Sequence, residues 1–144
     1  MSQSKRLQPI CDFKKRQEDE AAKKLASATQ ELMQQEQRLM ELESYRAEYG
    51  QQFTAIGSAG MSAQKLREFQ GFVHKLNTVV DQQKTTINKL RLDHEQTKRQ
   101  WLAARNHNKA INKVQSQYKT TEEKAEEKKL QKEQDDRNCR KVSL

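Results

Sequence analysis

Residues 21–62 read AAKKLASATQELMQQEQRLMELESYRAEYGQQFTAIGSAGMS, and the fold is decided within them. Alternating steps of four and three from Ala21 reach Leu25, Ala28, Leu32, Gln35, Leu39, Leu42, Arg46, Tyr49, Phe53 and Ile56. Nine of these eleven positions are apolar, and the residues between them are mostly Gln, Glu, Lys and Ser. A stripe with this spacing, held over about five heptads, keeps one face of a helix against a partner helix. A solitary soluble helix has no need of it.

The stripe breaks at Gly57-Ser58-Ala59-Gly60, and three of the chain's four glycines fall between Gly50 and Gly60. Gly57 suits the left-handed position that ends a helix. Ser62 suits the N-cap of the next helix, where its side-chain oxygen accepts an orphan backbone N–H. A glycine-rich loop can also cradle a phosphate, but this one follows a helix rather than a strand and lacks the Lys-Ser/Thr signature. It reads as a turn.

A second stripe starts at once: Leu66, Phe69, Val73, Leu76, Val80, Gln83, Ile87, Leu90, His94, Thr97, Trp101, Ala104, Asn108, Ile111. Polar members accumulate after Gln83, and beyond Tyr118 the pattern is nearly gone. Thr120 to Lys141 is a run of Glu, Lys, Gln and Asp broken only by Ala125 and Leu130, fit for a solvated single helix or a disordered tail. The expected architecture is all-α, a long antiparallel two-helix coiled-coil hairpin. It occupies 1–144 as one unit, with helix one about 5–56, a turn at 57–61, helix two about 62–137, and a charged tail at 120–144. A short turn lays the helices antiparallel. Residue 56 then faces about 62, so facing residues sum to about 118 and residue 7 faces about 111. The helices span on the order of 75 Å and 110 Å, so the C-terminal quarter projects beyond its partner or frays.

Composition agrees. Of 144 residues, 33% are apolar and 33% charged, with Pro9 the single proline. That is too little apolar material for an ordinary globule of this length, and it leaves disorder or a narrow-striped long helix, between which the periodicity decides. No signal peptide and no membrane-spanning run are legible; the longest apolar run is Trp101-Leu102-Ala103-Ala104 against the roughly 20 residues a bilayer requires. Cys11 and Cys139 have no metal-ligand spacing and are expected as unpaired thiols. Cys11 faces about residue 107, so a helical tail would hold Cys139 nearly 50 Å away, far beyond disulfide reach.

No chemistry-bearing constellation stands out. His74, His94 and His107 have no further ligand at i+3 or i+4, and His94 reads as a polar residue tolerated on the stripe. No nucleophile has a base near it, and a two-helix hairpin offers no deep pocket. The chain is therefore expected to be a non-enzyme without cofactor or metal.

Charge is uneven. Residues 1–56 carry nine basic and nine acidic side chains. Residues 84–119 carry nine basic ones (Lys84, Lys89, Arg91, Lys98, Arg99, Arg105, Lys109, Lys113 and Lys119) against Asp93 and Glu95, so the net +8 lies on the second helix. Such a row can grip nucleic acid phosphates, but only Trp101 and Tyr118 interleave as aromatics and both fall on the stripe. A solvated face or a surface for an acidic protein is the preferred reading. Tyr45, Phe72 and Val79 lie beside the stripes. With Leu42, Tyr49 and Leu76, Tyr45 and Phe72 would make an aromatic-rich patch that either broadens the core or docks a partner.

The stretch Leu42-Glu43-Ser44-Tyr45-Arg46-Ala47-Glu48-Tyr49, the turn Gly60-Met61-Ser62-Ala63, and Phe69-Gln70-Gly71-Phe72-Val73 with Leu76 closely resemble the flagellar FliJ family. The resemblance covers roughly residues 10–115. It implies a soluble component of the bacterial flagellar type III export apparatus, similar to the coiled-coil part of the central stalk of rotary ATP synthases. As partners it implies the hexameric export ATPase (FliI), with the helical termini entering its ring, the membrane export gate protein (FlhA), and export chaperones. It also implies a place in the cytoplasm, at the inner membrane's cytoplasmic face, without direct membrane insertion. The gate contact carries over to Leu42, Tyr45, Tyr49, Phe72 and Leu76; at neighbouring places Arg38, Val79 and Gln83 depart from the family's residues. Two other functions fit the same architecture: the equivalent stalk of a virulence type III secretion system, and a basic coiled coil that binds nucleic acid.

Overall fold

The computed structural model describes residues 2–142. It consists of two helices, α1 (Gln3–Ser58) and α2 (Ala63–Val142), with no strand among the described residues. They pack antiparallel, as an all-α helical hairpin. The chain falls into two compact units, one built from Lys23–Arg99 around the turn and one from residues 2–22 with 100–142. Each helix contributes to both.

The turn differs from expectation in one detail. Helix α1 runs through Gly57 to Ser58, and the left-handed residue is Gly60, at φ 97°. The Ala59 N–H donates to the Ile56 carbonyl at 3.1 Å and the Gly60 N–H to the Gly57 carbonyl at 3.2 Å, so a tightened last turn carries the chain past Gly57. Only then must it reverse, and glycine tolerates that backbone because it has no Cβ. Ser62 caps α2 as expected: its Oγ accepts the Lys65 N–H at 3.2 Å.

In the turn-proximal unit the heptad stripe is the core. Val80 is fully buried, Ile87 2% exposed and Leu76 7% exposed. The stripe residues from Leu25 to Phe53 on α1 are half-buried, as are Phe69, Val73, Gln83, Leu90, His94 and Thr97 on α2. Its outermost members, Ile56 and Leu66, lie exposed beside the turn. Two polar layers interrupt it, and both are satisfied. Gln83 Nε2 donates to the Gln35 carbonyl and to Gln35 Oε1, at 3.0 and 2.8 Å. His94 Nε2 meets Thr29 Oγ1 at 2.9 Å, while that hydroxyl donates to the Leu25 carbonyl at 2.8 Å. On the flank, Lys84 pairs with Glu43 and Arg91 with Glu36, at 3.8 and 3.3 Å.

These pairs fix the register. Gln35–Gln83 and Tyr49–Phe69 sum to 118, but Thr29–His94 and Arg46–Asn77 sum to 123, and both flank ion pairs to 127. The centre lies a few residues beyond the expected 118. The cause is the turn: the helix ends nearest it, Ser58 and Ala63, themselves sum to 121.

In the terminal unit the heptad continues on α1 through Glu18, Lys14, Cys11, Leu7 and Ser4, each buried or half-buried. Here the interior is largely polar. Ser4 and Gln115 are 5% and 7% exposed, beside Cys11 at 5%. Gln115 Nε2 donates to the Ser4 carbonyl and to Gln8 Oε1, at 3.0 and 2.7 Å. Asn108 Nδ2 donates to Glu18 Oε2. The last cross-helix layer joins Ser4 to Glu122: the Ser4 N–H donates to Oε1 at 3.1 Å and its hydroxyl to Oε2 at 2.6 Å. A carboxylate from α2 thereby caps the start of α1. Helix α2 then continues to Val142, so the charged tail is a helix, and residues 123–142 are exposed throughout. Cys11 is buried and Cys139 exposed, and both are free thiols.

Candidate docking surface

The five residues singled out in the sequence all belong to the turn-proximal unit. Seven residues separate Leu42 from Tyr49 on α1, and four separate Phe72 from Leu76 on α2, so each pair recurs on one side of its helix. Antiparallel packing then brings Tyr45, Tyr49 and Phe72 together. Tyr45 meets Phe72 edge-on, with ring centroids 6.2 Å apart and planes at 79°. Tyr49 lies 4.4 Å from Phe72 and stacks on Phe69 at 4.7 Å. Phe53 also stacks on Phe69, with ring centroids 3.6 Å apart. An edge-on pair such as Tyr45–Phe72 adds about 0.5–1.5 kcal/mol beyond the area it buries.

Exposure grades the five. Tyr45 is 48% exposed, and Val79, beside the stripe one heptad beyond Phe72, is 44% exposed. Leu42, Tyr49 and Phe72 are half-buried. Leu76 is a core residue at 7% and supports the patch from beneath. The patch is thus an aromatic ledge, with Tyr45 as its outermost ring. An open groove bounded by Gln37, Met40, Glu41, Ser44, Tyr45 and Glu48 runs along its α1 side, and Met40 there is 65% exposed. That methionine was not singled out from sequence; its spacing of seven from the equally exposed Met33 was the available signal.

Among the described residues no group of three His, Cys, Asp or Glu side chains is placed to hold a metal ion, and no helix is long and apolar enough to cross a membrane. The basic row of α2 is partly answered, since Glu43 and Glu36 stand against Lys84 and Arg91. Arg99 pairs with Glu95 at 3.8 Å, and the Arg105 guanidinium lies 5.4 Å from the Trp101 ring.

Comparison with curated proteins and with solved structures gives no match. A family model described as flagellar FliJ protein matches residues 3–143, which takes in both helices and the turn. The two-helix hairpin, the capped glycine turn and a match that runs nearly end to end place this chain in the flagellar FliJ protein family.

Proposed function

We propose that this flagellar export-related protein acts by docking other proteins, as a stalk between the hexameric export ATPase and the membrane export gate. The turn-proximal aromatic ledge is the gate-facing surface, and the terminal unit is the ATPase-facing one. The observation that carries the reading is Tyr45: a large ring half exposed to water, held edge-on by Phe72 above a packed core. Rigid aromatic anchors rimmed by charge are what protein interfaces use as hot spots. Leu42, Tyr49, Phe72 and Leu76 shape and support that anchor. In this reading the protein works in the cytoplasm, against the inner face of the membrane through its partners, and export chaperones are further ligands of the hairpin.

The test is a pull-down with purified export ATPase and export gate protein, run with Tyr45→Ala. Loss of gate binding by about tenfold or more, with ATPase binding and helicity intact, is the expected result. Equal binding of both partners by wild type and variant overturns the assignment of the ledge. Nucleic acid binding through the α2 basic row is less favoured, because Glu43 and Glu36 already answer part of that row.

A further inference from the structure

Helix α2 outlasts its partner. Ser4, one residue into α1, already meets Glu122, and residues 123–142 have no α1 residue opposite them. This stretch spans about 30 Å at 1.5 Å per residue, and every described side chain on it is exposed.

Its charges come in blocks. Glu122, Glu123, Glu126 and Glu127 surround a single base, Lys124. Lys128, Lys129 and Lys132 follow without an acid, then Glu133, Asp135 and Asp136 without a base, then Arg137, Arg140 and Lys141 without an acid. The order is minus, plus, minus, plus. This is not the arrangement that best stabilises a solitary helix. In its first half the i,i+4 neighbours are alike: Glu122 with Glu126, Glu123 with Glu127, Lys124 with Lys128 and Lys128 with Lys132. Each such like pair destabilises an isolated helix. Opposite-sign i,i+4 pairs, Lys129 with Glu133, Lys132 with Asp136, Glu133 with Arg137 and Asp136 with Arg140, begin only at Lys129.

Four alternating blocks have one further property. A second copy laid antiparallel sets the first block against the fourth and the second against the third, opposite signs throughout. A parallel copy sets like against like. Charge order of this kind selects both partner and orientation. The symmetry axis falls near Lys132, which sets Lys128 and Lys129 against Asp136 and Asp135, and Glu127 and Glu123 against Arg137 and Lys141. Leu130, 53% exposed, lies two residues from it, so the two copies' leucines flank the axis.

We propose that residues 123–142 are a self-docking surface, pairing antiparallel with the same segment of a second copy of this chain in a two-fold symmetric, isologous contact. The proposal stands independently of the stalk reading. Exposed ion pairs are individually weak and are screened by salt, so the pairing is a low-affinity, salt-sensitive equilibrium suited to exchange with other partners.

The test is sedimentation equilibrium of the full chain at low ionic strength and at about 0.5 M salt. A monomer–dimer equilibrium whose association constant falls by about tenfold or more at high salt is expected. The triple variant Lys128→Glu, Lys129→Glu, Lys132→Glu should be monomeric, as should Glu133→Lys, Asp135→Lys, Asp136→Lys. An equimolar mixture should restore the dimer, because each reversed block then faces its opposite. Circular dichroism checks that both remain helical; should either triple variant lose helix, Lys129→Glu and Asp135→Lys repeat the mixing experiment with single changes. A wild-type chain that is monomeric at every concentration in low salt overturns the proposal. So does a dimer indifferent to salt, or one that survives in both charge-reversed variants.

Discussion

The two units of the hairpin share one heptad frame and fill it with a different balance of apolar and polar side chains. Around the turn, the interior is Val80, Ile87 and Leu76, closed by the stacked rings of Tyr49, Phe53 and Phe69. Toward the termini it is Cys11 with the polar pairs Ser4–Gln115 and Glu18–Asn108, joined by hydrogen bonds. Helix geometry needs only the spacing to be kept, whereas cohesion depends on what occupies it. Apolar layers gain roughly 25 cal/mol for each Å² removed from water. A buried hydrogen bond nets only about 0.5–1.5 kcal/mol, because both partners were already satisfied by water. Pro9 weakens the terminal unit further, since it lacks the N–H that would bond the Lys5 carbonyl one turn back. The turn-proximal unit is therefore the stable part of the molecule. The terminal unit is the part that opens first, and its polar layers hold register more than they hold the helices together.

The comparison breaks most readily at Ile87. Ile87→Ala removes a side chain that is 2% exposed and leaves a void, at a cost of about 2–5 kcal/mol. Leu92→Ala, five residues on at a position 73% exposed, should change stability by no more than about 0.5 kcal/mol. Thermal melting of the two variants measures the contrast. Similar melting temperatures would show that the turn-proximal stripe does not carry the fold.

Gln115→Ala addresses the other unit. It leaves the Ser4 carbonyl and Gln8 Oε1 without their cross-helix donor. The expected cost is about 0.5–1.5 kcal/mol, the net worth of a lost hydrogen bond, because Gln8 is exposed and its amide can turn to water. Amide hydrogen exchange locates it: protection should fall in residues 3–11 and around 115, and stay unchanged from Leu32 to Ile87. A uniform loss along the chain would mean that the two units unfold as one.

How much of this was legible beforehand follows the same division. The stripe from Leu25 to Phe53 and from Phe69 to Ile111 was readable because apolar residues mark it, and all of it is buried or half-buried. Ser62 was readable because N-capping needs a short side-chain oxygen at one place. The stripe from Ser4 to Glu18 was missed because Ser, Lys and Glu at heptad spacing look the same as a solvated face. Only the register, which depends on the turn, reveals that Gln115 and Glu122 stand opposite. Gly57 was mistaken for the reversing residue because either glycine could serve, and the choice lies in how far α1 propagates. At the ledge, the sequence placed Tyr45 beside the stripe. It placed Leu76 on the stripe, and the exposures of the two, 48% and 7%, follow that division.

Tyr45 gives the third contrast, between an exposed ring and a seam ring inside one unit. Tyr45→Ala loses an edge-on contact to Phe72 and a tilted one to Tyr49 at 6.3 Å, and should cost about 0.5–1.5 kcal/mol. Phe69→Ala unstacks Tyr49 and Phe53 together and should cost about 3–5 kcal/mol. Chemical denaturation separates the two, and equal costs would make Tyr45 a core residue rather than a ledge.

The smallest effect is electrostatic and sits at the terminal clasp. The Ser4 hydroxyl, and then its backbone N–H, donate to the Glu122 carboxylate and hold its pKa below the ordinary value of 4.5. Lys5 adds a favourable charge nearby. The sign follows from linkage. Folding favours the ionised form, so the clasp contributes its full stability above pH 4.5 and loses it as pH falls through the lowered folded value. Protonation turns one carboxylate oxygen into a hydroxyl and weakens the contacts to Ser4, so the first turn, held otherwise by Ser2 Oγ on the Lys5 N–H at 3.4 Å, frays more readily. Amide exchange of residues 4–7 should therefore quicken on acidification below pH 4.5, beyond the ordinary pH dependence of exchange itself, while that of the turn-proximal core does not. Glu122→Gln should show the quickened exchange already at neutral pH and lose the added acid response. If wild type and Glu122→Gln respond to acid alike, the fraying of α1 is governed by the neighbouring polar layer at Gln115 and not by the Glu122 cap.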